Sequence, residues 1–372
     1  MLTWLEIDAR AIQHNLRAFK KKVGKNSLLM PVIKSNAYGH GFLEVAKLCA
    51  KSGEVDRLCV ASLDEALTLI KARIIEKPIL ILSFYELDKE KIAEAIRSGV
   101  IFTVYSKEQA LFLERIAARQ KRSVRVHLKI DTGTSRVGVL PEQVGAFVKN
   151  LVALRSLVLE GVWTHLAASE SDSEFTKEQV SVFNSVQQEL EPLYPSITQW
   201  HVSCTAAIML TKKTRTTAVR LGIGLYGLYP SPATKQRISL RPALSWYTRL
   251  LQVKIVPKGT SIGYDRTFVT QRKTVLGIIP VGYYDGYDRL FSNQAKVIVR
   301  GKKCSILGRI CMNLSMVDLT TVTGNIAAGE IVTLIGGKPK SCITADYLAS
   351  VAKTINYEIV ARINPVLPRI VI

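Results

Sequence analysis

Lys34 closes an apolar run, residues 28–33, and is followed by Ser35-Asn36-Ala37-Tyr38-Gly39-His40-Gly41. The run reads as a short buried strand, so its lysine leaves the core where a loop begins. Desolvating an ammonium is costly. A lysine at this boundary is therefore either a solvated strand terminus or an amine tuned for covalent chemistry. Further along, polar residues recur at the ends of apolar runs. They are His127, Lys129 and Asp131, with Arg136 just beyond; Thr164 and His165; His201, Ser203 and Thr205; and Arg220 with Gly222, Ile223 and Gly224. A hydroxyl beside a glycine-rich turn can cradle a phosphate through backbone N–H groups. An amine able to form a Schiff base, such a cradle and an arginine point jointly to pyridoxal phosphate. Singly each is weak, because a glycine turn is usually only a turn and a strand-end histidine is often a satisfied core residue.

The elements that must position these groups repeat along the chain. An alternating strand, 3–8, leads into a helix over 11–22 with Ile12, Leu16 and Phe19 at helical spacing. Strands then follow at 28–34, 57–61, 78–82, 101–105, 124–131, 159–165, 198–203 and 219–224. Helical periodicity fills the gaps, at 42–51, 62–72, 88–98, 107–119, 142–150 and 174–190. Eight strands alternating with helices predict a parallel (β/α)8 TIM-type barrel over residues 9–235. An open doubly wound sheet is the alternative, but no G-x-G-x-x-G follows the first strand. Beyond about Pro230 the texture becomes short β-rich runs at 245–256, 274–281, 295–299, 303–306, 315–319 and 330–334. Turns at Arg300-Gly301-Lys302 and Gly336-Gly337 and one helix, 344–355, complete a mostly antiparallel domain over 236–372. The opening strand precedes the barrel's own eight and is available to pair into that second domain.

Composition narrows the function classes. With 48% hydrophobic and 22% charged residues, the chain reads as a water-soluble globular protein. No early segment resembles a signal peptide, and no apolar run reaches the roughly 20 residues that span a bilayer. Six scattered cysteines without a C-x-x-C pair read as reduced, mostly buried thiols of a cytoplasmic protein. No His/Cys spacing suggests a metal site. The net charge of +21 raises the question of nucleic acid. Its basic clusters (20–22, 119–125, 212–215 and 300–303) are dispersed and not interleaved with aromatics, which argues against it.

Residues 32–41, Val-Ile-Lys-Ser-Asn-Ala-Tyr-Gly-His-Gly, resemble the lysine signature of the alanine racemases. The resemblance covers essentially the whole chain. It runs on through His127-Leu128-Lys129-Ile130-Asp131-Thr132-Gly133, Arg136-Val137-Gly138, Thr164-His165, Arg220-Leu221-Gly222-Ile223 and Gly263-Tyr264. It ends with Gly282-Tyr283, Asp285-Gly286, Gly308-Arg309-Ile310-Cys311-Met312 and Ile355-Asn356-Tyr357-Glu358. It implies a barrel with a C-terminal β domain and a homodimer with shared active sites. The implied activity is pyridoxal-phosphate-dependent interconversion of L- and D-alanine, supplying D-alanine for peptidoglycan.

By that resemblance Lys34 holds the cofactor and acts as acid and base on one face of Cα, while Tyr264 from the partner subunit serves the other face. A phenol is a poor base near neutrality unless its surroundings stabilise the anion, a role that falls to His165 and Arg220. Arg220 matches the residue that hydrogen-bonds the pyridine nitrogen. Arg136 and the backbone N–H of the partner's Met312 match the contacts to the substrate carboxylate. Lys129 matches a lysine often carbamylated in the family. Tyr38, Thr205, Gly222, Ile223 and Tyr357 match the phosphate grip, and Tyr283 a gate at the substrate entrance. Two departures stand out: Cys204 precedes Thr205 where the family usually has Asn, and Asn313 follows Met312 where it usually has Asp. A broader amino-acid (serine) racemase, a barrel-type amino-acid decarboxylase and a cofactor carrier are the competing readings.

Overall fold

The computed structural model describes residues 1–211, 216–235, 237–338 and 341–372; the basic cluster at 212–215 lies outside the described residues. The chain divides into two compact units. One comprises Arg10–Ala37 and Val45–Arg241; the other comprises Met1–Ala9, Tyr38–Glu44 and Pro242–Ile372.

Strand β1, Thr3–Ile7, belongs to the second of these. The first unit holds β2 (Leu28–Pro31), β3 (Leu58–Ser62), β4 (Ile79–Phe84), β5 (Ile101–Val104), β6 (Val124–Lys129), β7 (Leu157–Trp163), β8 (Gln199–His201) and β9 (Ala218–Leu221). Strands β3 to β8 pair in parallel in chain order, and β2 pairs in parallel with β9. Two seams join these sets: a parallel bridge between Val32 and Cys59, and hydrogen bonds from Thr217 N to Trp200 O (2.9 Å) and Arg220 N to Ser203 O (3.0 Å). The ring is complete, and the eight strands form a barrel. The strands are near-continuous apolar runs such as Ile79-Leu80-Ile81-Leu82, as expected where both faces are covered.

The helices between them bury one stripe each. Helix Lys107–Arg119 buries Ala110, Leu113, Ile116 and Ala117, three or four residues apart. Several begin on a residue whose side chain accepts from the first-turn N–H groups: Ser62, Asp88, Ser106 and Asp172.

The other unit adds β10 (Leu244–Arg249), β11 (Gln252–Val256), β12 (Ser261–Ile262), β13 (Phe268–Val269), β14 (Thr274–Ile279), β15 (Lys296–Val299), β16 (Lys302–Leu307), β17 (Ser315–Asp318), β18 (Ile331–Lys338), β19 (Ser341–Ile343) and β20 (Arg369–Val371). One sheet runs β11-β14-β17-β16-β15-β18-β10-β1-β20, antiparallel except where β1 meets β20. Trp246, Tyr287 and Phe291 pack edge to face in its core.

Three readings of this region change. The run 245–256 is two strands, because the chain turns at Leu250-Leu251. Gly336-Gly337 is no turn but lies within β18. Their φ values of 112° and 109° are open to glycine, and a Cβ at Gly337 would come within 2.4 Å of Ser341 O. The helix expected over 344–355 stops at Ala352, with Lys353 in a left-handed cap, and a second helix follows at Asn356–Ala361.

Candidate active site

The polar strand ends of the barrel gather at its C-terminal rim. Lys34 follows β2 and is half-buried. Its backbone then does something unusual for L-residues. Ser35, Asn36 and Ala37 have φ/ψ near 55°/57°, 54°/41° and 51°/51°, and Tyr38 has φ 52°. This is a left-handed helical turn without glycine, closed by a bond from Ala37 N to Ile33 O at 2.9 Å. The Glu65 carboxylate clamps it, accepting from Ser35 N and from Ala61 N, each at 2.7 Å. Burial lowers the Lys34 pKa, the nearby Arg136 lowers it further, and Glu65 partly opposes both.

Strand β6 ends in Lys129, and the loop beyond it is organised by one carboxylate. Asp131 Oδ1 accepts from the N–H groups of Gly133 (3.1 Å), Thr134 (2.9 Å) and Ser135 (3.1 Å) and from Thr134 Oγ1. Asp131 Oδ2 accepts from Arg136 N at 3.0 Å. The base of the loop is zipped by Asp131 N to Val139 O and Val139 N to Lys129 O. Arg136 is thus presented on a fixed backbone with its side chain exposed. Asp131 is committed to the loop: burial pushes its pKa up, but the four backbone N–H bonds together outweigh it and hold the pKa below the usual carboxylate value.

Lys129 is 1% exposed. Burial first, then Arg136, Arg220 and Lys34, bring its pKa to about 8, against a smaller opposing pull from Asp131. Its Nζ lies 4.7 Å from the centre of the Trp163 ring, which also carries the Arg220 guanidinium at 4.6 Å. Trp163 stacks on His201 at 5.6 Å with 9° between the planes.

Arg220, in β9, is buried and held from several sides. Nη1 donates to His201 Nδ1 (2.6 Å) and His201 O (2.9 Å); Nη2 donates to Thr164 O (2.7 Å), Val202 O (3.0 Å) and His165 Nδ1 (3.5 Å). All these bonds use Nη1 and Nη2. Burial lowers the guanidinium pKa to about 10, so it stays charged at neutral pH. The opposite holds for His165. Burial and the cations Arg220, Arg136, Lys129 and Lys34 bring its pKa to about 3, so the ring is neutral.

Beside Arg220, Thr205 Oγ1 accepts from Gly222 N (3.0 Å) and Gly224 N (3.3 Å), and a one-turn helix begins at Ile223. Those two N–H groups orient the hydroxyl, whose own O–H can donate to an anion such as phosphate.

Lys34, Lys129, Arg136, His165, Thr205, Arg220, Gly222 and Ile223 therefore all lie at the strand-end rim of the barrel unit. In the other unit the ring centres of Tyr38 and Tyr357 lie 6.2 Å apart, with the planes tilted by 49°. Tyr264, Tyr283 and Met312 lie on that unit's surface, 68%, 43% and 54% exposed. The departures Cys204 and Asn313 leave these groups intact; the Cys204 sulfur lies 3.4 Å from Ser169 Oγ. Trp163 was not singled out from the sequence. Its signal was period-two spacing from Gly161, since Lys129 pairs with Trp163 and His127 with Gly161 across β6 and β7.

A parallel barrel that collects a lysine of lowered basicity, a buried arginine and a hydroxyl–glycine cradle at one rim defines a class of lysine-centred barrel enzymes. Residues 7–230 match the family description "Alanine racemase, N-terminal domain", and residues 243–371 match "Alanine racemase, C-terminal domain". An alanine racemase of Halothermothrix orenii is 41% identical over 368 residues, which cover 99% of this chain and 96% of the relative. The structure of an alanine racemase from Clostridium difficile superimposes with a TM-score of 0.92 at 34% identity, covering 100% of this chain and 96% of that one. A structure described as a histidine racemase from Leuconostoc mesenteroides also superimposes, with a TM-score of 0.89 at 28% identity, covering 100% and 98%. The chain belongs to the alanine racemase family.

Proposed function

We infer that the chain interconverts L- and D-alanine with pyridoxal phosphate held on Lys34, and so supplies D-alanine for peptidoglycan. The observation that carries this reading is a low-basicity lysine and a buried, charged arginine at one rim of a chain matching both family domains.

The residues fit the cofactor. Lys34 offers an amine whose lowered pKa increases its neutral, reactive fraction. The Thr205 hydroxyl and the N–H of Ile223 are assigned to the phosphate, with Gly222, whose N–H donates to Thr205 Oγ1, holding that hydroxyl in place; the hydroxyls of Tyr38 and Tyr357 are assigned there too. Arg220 has Nη1 and Nη2 engaged, which leaves Nε as the donor for the ring nitrogen. When bound, pyridoxal phosphate draws electron density from substrate Cα and makes its hydrogen removable.

The remaining work falls to the chain. Arg136 pairs with the substrate carboxylate, joined by the N–H of Met312 from a second copy. The Lys34 amine moves the proton on one face of Cα. On the opposite face the proton moves through the phenol of Tyr264 from the second copy, past a gate that includes Tyr283. His165 is neutral and presents Nδ1 to Arg220, so its proton sits on Nε2, where it can support a phenolate oxygen. Arg220 keeps its proton, so the ring nitrogen accepts a hydrogen bond without being protonated. An arginine in that place would favour return of a proton to Cα over loss of CO2. Lys129, carbamylated, would face Arg136 as an anion.

The test is chiral chromatography of L-alanine after incubation with the protein and pyridoxal phosphate. D-alanine must form, and Lys34→Ala must abolish both product and Schiff-base absorption; CO2 release without D-alanine refutes the reading. The neighbouring histidine racemase favours one second reading, a wider amino-acid range. Parallel assays on serine and histidine decide it.

A further inference from the structure

Behind Arg220 a file of buried side chains crosses the barrel. Arg220 Nη1 lies 2.6 Å from His201 Nδ1, His201 Nε2 lies 2.8 Å from His127 Nδ1, and His127 Nε2 lies 3.1 Å from Glu160 Oε2. Glu160 is gripped by Arg57 through two bonds, 2.7 and 3.0 Å, and touched by Arg125 at 3.4 Å.

The ends of this file have fixed polarity. A guanidinium only donates, and an ionised carboxylate only accepts. Between them each neutral imidazole has one proton and one lone pair. The carboxylate takes the proton of His127 Nε2, so His127 accepts at Nδ1. His201 then donates from Nε2, which leaves its Nδ1 lone pair facing the guanidinium. One assignment satisfies all three contacts, and no reversed assignment exists. Both rings are completely buried, and burial is the largest influence lowering their pKa values. Arg57 Nη1 and His127 Nε2, 3.3 Å apart, are then two donors sharing one acceptor, Glu160 Oε2.

The backbone makes room for this file. Val126 pairs with Leu159 and His127 with Gly161, so the register slips and Glu160 has no partner across β6. At Gly161 a Cβ would sit 2.7 Å from His127 Cε1 and Nδ1. Only a glycine admits the ring there.

We propose that Glu160 and His127 are positioning residues which, through His201, fix the rotation of the Arg220 guanidinium. Glu160 sets the tautomer of His127, and His127 sets that of His201. The Nδ1 lone pair of His201 then pins Nη1, leaving Nε as the free edge. With the other His201 tautomer, an N–H would face an N–H in a buried site, which is costly. The consequence for cofactor rests on Arg220 being the partner of the ring nitrogen; the tautomer pattern does not.

The chain has five histidines, so 15N-histidine labelling of the pyridoxal-phosphate-loaded protein gives an assignable long-range 1H–15N spectrum. The variants are Glu160→Gln, which keeps an acceptor, Glu160→Leu, which removes it, and Glu160→Leu with Arg57→Leu, which removes it without leaving Arg57 unpaired. Wild type and Glu160→Gln should both show Nε2–H rings at His127 and His201. Both leucine variants should lose that pattern. Their cofactor affinity should fall about tenfold, the worth of one hydrogen bond. Their kcat should fall more than KM, because Arg220 does not contact alanine in this reading. A wild-type His201 protonated on Nδ1 overturns the proposal, as do leucine variants with unchanged tautomers and cofactor affinity. The predicted tautomers in a protein that fails to racemise alanine would support the relay and overturn the function it serves.

Discussion

Lys129 offers a quantitative test of the site's electrostatics. Its pKa of about 8, against an ordinary 10.5, makes the neutral amine roughly 300-fold more abundant at pH 7, about one molecule in ten. The neutral amine attacks CO2: a C–N bond forms, the nitrogen releases a proton, and a cation has become a carbamate anion. That change replaces repulsion towards Arg136 and Arg220 by attraction, so the cations that lower the amine's basicity also favour its product. Enzyme prepared in 13C-bicarbonate should therefore show one carbamate carbon by 13C NMR, absent from Lys129→Ala. Arg136 is the proposed carboxylate ligand, so KM for alanine should rise about tenfold in Lys129→Ala with a smaller change in kcat. An active enzyme with no carbamate resonance, or a Lys129→Ala variant with wild-type KM, would refute the reasoning.

Asp131→Ala removes the acceptor for the N–H groups of Gly133, Thr134, Ser135 and Arg136. It should raise KM for alanine about tenfold with a smaller loss of kcat; Asp131→Asn should lie between, and an unchanged KM for the alanine variant would contradict the loop's role. His127, His165 and His201 all have folded pKa values below their ordinary 6.5, so the unfolded chain takes up protons that the fold resists. Stability is therefore full above about pH 6.5 and declines as pH falls below it, by up to about 1.4 kcal/mol per ring per pH unit. A urea midpoint equal at pH 7.5 and 5.5 would sink that inference. Gly161→Ala must displace the His127 ring and should cost about 1–3 kcal/mol of stability. An unchanged melting temperature for that variant would be incompatible with the packing described.

The barrel was legible because each strand is an apolar run bounded by helical periodicity, and strand ends mark where polar groups can face a rim. Lys34, Arg136, Arg220 and Thr205 could be found that way. Arg57 and Glu160 could not: they are 103 residues apart, and a register slip in β7 re-aims the glutamate. The left-handed turn was equally hidden, since Ser35, Asn36, Ala37 and Tyr38 include no glycine to announce positive φ. Lone propensities also misjudged Gly336-Gly337, where close packing against Ser341 rather than a chain reversal requires the glycines.

That left-handed turn has a consequence for how the protein loses function. Four L-residues in this basin cost about 1–2 kcal/mol each relative to the right-handed form. Among the restraints that oppose it are the Ala37–Ile33 bond and the grip of Glu65 on Ser35. Backbone that stores such tension is a place where local opening can start. Amide hydrogens at 35–38 should therefore exchange ahead of those in β2, and warming should uncouple the Lys34 amine from its surroundings before the barrel melts.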